Sequence, residues 1–173
     1  MSRLPLLTPQ TAVGAARDML GELVARHGQV GDMVRTMANS PAVLGGYLQL
    51  SRSMKRAKLD RRISERISIA VQVRQGCETC LDSHVAAARS LGIDDDEIDR
   101  ARRGASADPA IAPMVAYGMQ VYREPTAITA AQVEELHDLG YSNREIADVV
   151  GVVALNVLTG AFNLVTGLQP VRI

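Results

Sequence analysis

The stretch that decides the fold of this 173-residue chain is DRRISERISIAVQVRQGCETCLDSH, from Asp60 to His84. Apolar side chains recur in its first part at helical spacing: Ile63, Ile67, Ala70, Val71 and Val73. Asp60 is a favourable N-cap, and Gly76 is a natural stop for a helix. The pattern therefore predicts one helix between Asp60 and Gly76 and a second helix that begins near Cys77.

Helix start signals recur along the rest of the chain, whereas the alternating pattern of strands is almost absent. Each signal is a capping residue followed either by proline or, three positions later, by an acidic or amide residue. The signals are Thr8-Pro9, Ser40-Pro41, Asp94 with Glu97, Asp108-Pro109, Thr129 with Gln132, and Ser142 with Glu145. The first predicted helix ends at His27, before Gly28. With the two helices of the central stretch, these signals predict an all-α fold of about eight helices.

The composition predicts a single globular domain over residues 1–173. Apolar residues make up 47% of the chain and charged residues 22%, which excludes general disorder. No linker rich in Pro, Gly or Ser divides the sequence, and no fixed repeat emerges. The four acids from Asp94 to Glu97 are assigned to a helix N-terminus, because no calcium-loop pattern surrounds them. No phosphate-binding glycine motif is present either.

The charge balance argues against a nucleic-acid partner. Lys and Arg number 19, Asp and Glu also number 19, and one Phe and four Tyr are the only aromatic residues. No basic or base-stacking surface can be built from these residues. The first ten residues lack the apolar core and cleavage site of a secretory signal, so a cytoplasmic location with reduced cysteines is expected.

One uncharged stretch, Val149 to Leu168, has 20 residues, which is long enough to cross a bilayer. It contains asparagine, threonine and glycine, and it lacks flanking aromatic belts and a one-sided basic cluster. No membrane span is therefore expected. Its apolar residues surround most of the helix, which predicts burial between helices and partly between subunits of a homo-oligomer.

The two cysteines of the chain, Cys77 and Cys80, stand three positions apart, and His84 follows Cys80 by four. Residues i and i+3 in the first turn of a helix lie on one face about 5 to 6 Å apart, so a disulfide can form and open. The ring of His84 can reach the Cys80 sulfur from one turn away. This histidine and the helix dipole both favour the thiolate, which attacks peroxides and disulfides. The spacing predicts a redox-active dithiol.

Three other interpretations of the cysteine pair stay open: half of a metal site, two small buried apolar side chains, or coincidence. A zinc site would need a fourth ligand beside Cys77, Cys80 and His84. The candidates for that ligand are Glu65, Asp82, His27 and His137. Because the chain has no second cysteine pair, the redox interpretation is favoured, and no metal or cofactor is expected.

Glu65 is the fourth candidate residue, twelve positions before Cys77 and between Ile63 and Ile67. Its helix is apolar around most of the circumference, so one carboxylate there can be drawn inward. The alternative is an exposed glutamate paired with a neighbouring arginine: Arg61, Arg62 or Arg66. From its position alone, the exposed glutamate paired with an arginine is the favoured interpretation.

The arrangement E-x11-CxxCxxxH resembles the active-site motif of the AhpD-like alkylhydroperoxidases within the carboxymuconolactone decarboxylase superfamily. Further similar segments cover most of the chain: Met37–Pro41 with Val43 and Leu44, His84–Ala88, Leu91–Ile93, and Leu139–Ser142 with Glu145 and Ile146. One position departs from the family pattern, because Thr79 stands where the best-known peroxidases have histidine between the cysteines.

The resemblance implies an all-helical fold that assembles as a homotrimer or a multiple of three, and peroxide reduction by a two-cysteine cycle. Cys80 would attack the O–O bond and become a sulfenic acid, and Cys77 would resolve it to a disulfide. His84 would orient and deprotonate Cys80, and Glu65 would be the distal base, acting through water. An external dithiol or thioredoxin-like protein would complete turnover.

Two further functions remain for this fold. A non-catalytic redox partner or sensor would change its dithiol state without rapid peroxide turnover. The muconolactone-ring decarboxylases of the superfamily generally lack the paired cysteines, so Cys77 and Cys80 argue against that reaction.

Overall fold

The computed structural model describes residues 2–168, and over these residues the protein consists of nine α-helices and one short 3-10 helix. The α-helices are α1 (Gly14–His27), α2 (Asp32–Met37), α3 (Pro41–Met54), α4 (Arg61–Gln75), α5 (Glu78–Ser90), α6 (Asp95–Arg102), α7 (Ala112–Arg123), α8 (Ala130–Asp138) and α9 (Asn143–Thr166). The 3-10 helix, Pro125–Ala127, lies between α7 and α8. No strand occurs between residues 2 and 168, and the predicted all-α class is confirmed.

Most of the predicted helix starts are confirmed as N-caps: Ser40, Asp60, Cys77, Asp94, Thr129 and Ser142. All but Cys77 accept a hydrogen bond from a backbone N–H of the first turn. Thr129 and Ser142 complete the reciprocal capping box, with Gln132 and Glu145. The helix-terminal interpretation of the acids from Asp94 to Glu97 is also confirmed, because Asp94 caps α6.

Two predicted starts are wrong by several residues. Thr8-Pro9 opens a turn closed by the Ala12 N–H on the Thr8 carbonyl at 2.8 Å, and α1 begins only at Gly14. Asp108 accepts from the Ala110 N–H at 2.9 Å, and α7 begins at Ala112. Short polar side chains that bond to nearby backbone stabilise turns as readily as helix ends. The six-residue α2 was not predicted, because it is too short to show a period and has no side-chain cap.

Helix α4 is the centre of the fold and packs against α5, α6, α7 and α9. Most of its predicted apolar face is buried: Ile63, Ile67, Ala70 and Val71. The N-terminal helices α1 and α2 pack on α3, which in turn contacts α9. The first turn of α5 and the second half of α9 therefore meet beside α4, and the candidate site lies at this junction.

A buried polar contact fixes how α9 lies against α4. The Gln72 amide nitrogen donates to Asn156 Oδ1 at 2.9 Å, and the Asn156 amide nitrogen donates to Ser68 Oγ at 2.8 Å. All three side chains are buried. A Cβ on Gly160 would meet the side-chain amides of Gln72 and Gln75, so the glycine leaves room for these two amides against α9.

Helix α9 is long and apolar enough to cross a membrane by length and composition alone. It packs against α3, α4 and α7 in the described structure. A core helix of a globular protein has the same length and composition. The packing agrees with the prediction that this uncharged stretch is buried between helices.

Candidate active site

The turn between α4 and α5 positions the two cysteines. Gly76 adopts the left-handed conformation, with φ 75°, and the N–H groups of Gly76 and Cys77 both donate to the Gln72 carbonyl. This glycine-dependent cap ends α4 and reverses the chain. Cys77 becomes the N-cap of α5 and Cys80 lies in its first turn. Both thiols are free and buried, and their sulfur atoms lie 2.9 Å apart.

Glu65 and His84 form the second pair of the site. Glu65 Oε2 lies 2.7 Å from His84 Nδ1, and Glu65 is only 7% exposed. Glu65 is thus drawn inward, and Arg61, at 3.6 Å from the other carboxylate oxygen, approaches it from the solvent side. Arg66 is buried and pairs with Glu97 instead, at 3.1 Å. With Nδ1–H donated to the carboxylate, His84 Nε2 is the free acceptor of the ring.

A cavity of about 780 Å³ lies over these residues, between α2, α3, α5, α9 and the N-terminal segment. Cys80 and His84 line it, whereas Cys77 does not and lies behind Cys80. A polar wall faces Cys80 from α3 and α9: Tyr47, Ser51, Thr159 and Asn163. Burial raises the pKa of Tyr47, so this phenol is a neutral group in the wall.

Two details of the predicted cysteine chemistry are wrong in this structure. Burial raises the pKa of the Cys80 thiol to about 12, and the adjacent Cys77 adds to the rise, so the reduced pair does not favour a thiolate. The hydrogen bond from Asn163 to the Cys80 sulfur opposes the rise without cancelling it. Among the hydrogen bonds of residues 2–168, none joins His84 to Cys80, because the ring is turned to Glu65 through Nδ1.

The contribution of α9 to the site is not among the features that the cysteine motif predicts. Asn163 Nδ2 donates to Cys80 Sγ at 3.2 Å and lies 4.0 Å from Cys77 Sγ. The available signal was a pair of asparagines, Asn156 and Asn163, seven positions apart on an otherwise apolar helix. Such residues share a face, and buried amides require partners. They were considered only as evidence against a membrane span.

The structure does not bring the candidate zinc ligands together. Over residues 2–168 no three His, Cys, Asp or Glu side chains group as a metal site. Asp82 and His27 are exposed, and His137 contacts Asn143. The four residues of the motif are instead paired as two thiols and as a carboxylate with an imidazole.

The sequence comparison agrees with this arrangement of residues. Residues 41–124 match the model of the carboxymuconolactone decarboxylase family, and this segment contains all four motif residues. The matched segment of the chain is similar to the carboxymuconolactone decarboxylase family. The α9 residues that face Cys80 lie outside the matched segment. No curated protein matches the sequence significantly.

Solved structures with the same fold extend the similarity to nearly the whole chain. An uncharacterised peroxidase-related protein with an alkylhydroperoxidase AhpD core, from Ralstonia eutropha JMP134, is 19% identical with a TM-score of 0.80, covering 98% of this chain and 92% of its own. A peroxidase-related protein from Silicibacter sp. TM1040 is 21% identical with a TM-score of 0.77, covering 97% and 90%. An Agrobacterium tumefaciens protein of unknown function, described as a candidate antioxidant defence protein AhpD, is 18% identical with a TM-score of 0.64, covering 78% and 94%. This chain therefore shares the fold of these structures, one of which is described as an AhpD core.

Proposed function

We propose that this protein is a two-cysteine thiol peroxidase that reduces hydrogen peroxide or organic hydroperoxides through a dithiol–disulfide cycle. One observation carries the proposal: Cys80 faces a cavity, the Cys77 sulfur lies 2.9 Å behind it, and His84, which is paired with Glu65, lines the same cavity. The structural neighbours described as peroxidase-related have the same fold, which supports this choice among the functions of the superfamily.

In the first step the Cys80 sulfur attacks the terminal oxygen of the hydroperoxide. An S–O bond forms, the O–O bond breaks, and the leaving alkoxide takes up a proton to become an alcohol. Because burial holds the pKa of Cys80 high, a base must accept the thiol proton during the reaction. His84, oriented by Glu65, is that base, and it acts through a water or the substrate because it does not contact the sulfur directly.

In the second step the Cys77 sulfur attacks the sulfenic sulfur of Cys80. The S–S bond forms as the S–O bond breaks, and the hydroxyl leaves as water. An external dithiol or a thioredoxin-like protein then returns two electrons and two protons to the disulfide. A cytoplasmic location, where such reductants keep thiols reduced, is part of the same proposal.

The cavity favours organic hydroperoxides as substrates. Its volume of about 780 Å³ is many times the roughly 30 Å³ that a water molecule occupies in the liquid. Apolar side chains, Leu6, Met33 and Leu155, lie in its wall beside the polar group around Cys80. An apolar organic group fits such a space, whereas hydrogen peroxide leaves it largely unfilled.

A dithiol sensor is the second candidate. The raised pKa of Cys80 favours it, because a resting thiol reacts slowly with peroxide. The Thr79 hydroxyl, where the best-known peroxidases have histidine, donates to the Leu168 carbonyl at 3.4 Å and offers no additional base. A decarboxylase of the muconolactone type finds no specific support, because its reaction gives the paired cysteines no role.

Steady-state peroxide consumption separates the two candidates. Reduced protein is mixed with excess dithiothreitol and either hydrogen peroxide or tert-butyl hydroperoxide, and peroxide loss is followed against a protein-free control. A peroxidase consumes many equivalents per chain and prefers the organic substrate. Oxidation of the dithiol with no turnover above the control would favour the sensor.

The exposed face of α9 supports the proposed homo-oligomer. Its apolar residues follow the 4-3 spacing of a coiled-coil seam, here called the α9 seam: Val150, Ala154, Val157, Ala161 and Leu164. Val150 is 50% exposed and Leu164 is 42% exposed in the single chain. A second copy of the chain would cover this seam, and a trimer is the form implied by the family resemblance.

We expect Ala154→Glu to dissociate the oligomer, because a charge in the centre of the α9 seam would be buried without a partner. Sedimentation equilibrium should show the association weakened by about 100-fold or more. Ala131→Glu, on the exposed surface of α8, is the matched control and should leave the assembly unchanged. A wild-type chain that stays monomeric at all concentrations would refute the proposed assembly.

A further inference from the structure

In residues 2–168 the side-chain amide of Asn163 has a hydrogen-bond partner for its nitrogen but none for its oxygen. Its Nδ2 donates to Cys80 Sγ at 3.2 Å, and the side chain is buried, with 4% of the residue exposed. Its Oδ1 is also buried and has no hydrogen-bond partner in the described part of the chain. Leaving a buried acceptor unpaired is unfavourable, so a donor is expected in some state of the site.

The nitrogen end acts on the reduced protein. A hydrogen bond to sulfur is stronger when the sulfur is negative, so the Asn163 N–H stabilises the thiolate. It opposes the effect of burial on the pKa of Cys80. Because Nδ2 also lies 4.0 Å from Cys77 Sγ, the same amide faces both sulfur atoms.

The amide oxygen of Asn163 can accept a hydrogen bond from the hydroxyl group that oxidation of Cys80 creates. When the sulfur of Cys80 gains the terminal oxygen of a hydroperoxide, the product carries an S–O–H group whose proton needs an acceptor. Asn163 Oδ1 belongs to the same amide as Nδ2, the nitrogen that donates a hydrogen bond to Cys80 Sγ. Resolution by Cys77 removes this hydroxyl as water and frees Oδ1 again.

We propose that Asn163 is a catalytic residue whose amide nitrogen stabilises the Cys80 thiolate and whose amide oxygen accepts the hydroxyl of the Cys80 sulfenic acid. This role rests on the proposed function. One side chain thereby holds the reactive sulfur before and after attack, and it protects the sulfenic acid until Cys77 reacts. Asn163 lies on α9, outside the segment matched by the family model.

Two substitutions of Asn163 distinguish the role of its amide nitrogen from the role of its amide oxygen. Asn163→Asp keeps an acceptor oxygen but replaces the N–H donor by negative charge, whereas Asn163→Ala removes both ends. Thr166→Val is the matched control, because Thr166 is a buried polar residue of the same helix whose hydroxyl bonds only to backbone carbonyls. All variants are made in a Cys77→Ser background, which isolates Cys80, and folding is checked by circular dichroism and thermal unfolding.

The first readout is the pH profile of Cys80 alkylation by iodoacetamide, which requires no peroxide chemistry. We expect Asn163→Asp to move the profile to higher pH by about one unit or more, and Asn163→Ala to move it in the same direction. The Thr166→Val control should keep the parent profile. An Asn163→Asp profile that coincides with the parent would overturn the role of the nitrogen.

The second readout is the lifetime of the sulfenic acid, trapped with dimedone at increasing delays after peroxide. Asn163→Ala should shorten it by about fivefold, the effect of one lost hydrogen bond, whereas Asn163→Asp should stay close to the parent. A parental lifetime in Asn163→Ala would overturn the role of the oxygen and leave the proposed function intact. No sulfenic acid in the folded parent Cys77→Ser protein would overturn both the proposed function and this role.

Discussion

Replacing Cys80 by serine should abolish the rapid reaction with peroxide, whereas Cys77→Ser should consume about one equivalent and stop as a sulfenic acid. The reason is position: Cys80 lines the cavity and receives the Asn163 N–H, and Cys77 lies behind it, away from the cavity. Stopped-flow kinetics measures the loss of reaction. Dimedone labelling followed by mass spectrometry locates the sulfenic acid.

The two cysteine variants control for each other, because each removes one sulfur from the same buried pair. The opposite outcome is well defined. A sulfenic acid trapped on Cys77 in the Cys80→Ser protein, with no oxidation of Cys77→Ser, would reverse the assigned roles. The position of Cys77 at the N-cap of α5, closest to the helix dipole, makes this comparison a real test.

Glu65→Gln should lower the rate of Cys80 oxidation by about 100-fold or more near neutral pH. The substitution keeps the shape of the side chain but removes the carboxylate that accepts from His84 Nδ1 at 2.7 Å. Without it the imidazole loses the partner that orients its ring and fixes its tautomer. The rate is measured by stopped-flow mixing of the reduced, folded variant with peroxide.

Arg61→Gln is the matched control for this prediction. Arg61 approaches the same carboxylate from solvent, at 3.6 Å, and its side chain is 71% exposed. An exposed ion pair of this kind contributes little, so the control should react at nearly the wild-type rate. Equal rates for Glu65→Gln and the wild type would show that Glu65 only forms an ion pair and has no part in the reaction.

Much of the fold could be predicted because its information is local. Caps such as Asp60 and Ser142 and the stop at Gly76 act within one turn, so the sequence shows them directly. The failures at Thr8 and Asp108 are local too, because the same side chains stabilise turns by accepting from the Thr11 and Ala110 N–H groups. A capping residue alone does not show whether a helix or only a turn follows it.

The site could be predicted only where its residues are close in sequence. The spacing of Cys77 and Cys80 predicts their contact, and the apolar helix around Glu65 indicates that its carboxylate can be buried. The contact of Asn163 with Cys80 joins residues 83 positions apart, and it depends on how α9 packs beside α5. The burial that raises the pKa of Cys80 likewise comes from tertiary packing, which outweighs the helix dipole considered alone.

The central claim is that one peroxide converts the Cys77–Cys80 dithiol into a disulfide at a catalytic rate. Single-turnover oxidation with thiol counting tests it most directly. Fully reduced wild-type protein is mixed with one equivalent of tert-butyl hydroperoxide, and free thiols and the intramolecular disulfide are quantified over time. The account predicts the loss of two thiols per peroxide, much faster than for free dithiothreitol under the same conditions. Thiol loss no faster than that of free dithiothreitol, or peroxide loss without a Cys77–Cys80 disulfide, would contradict it.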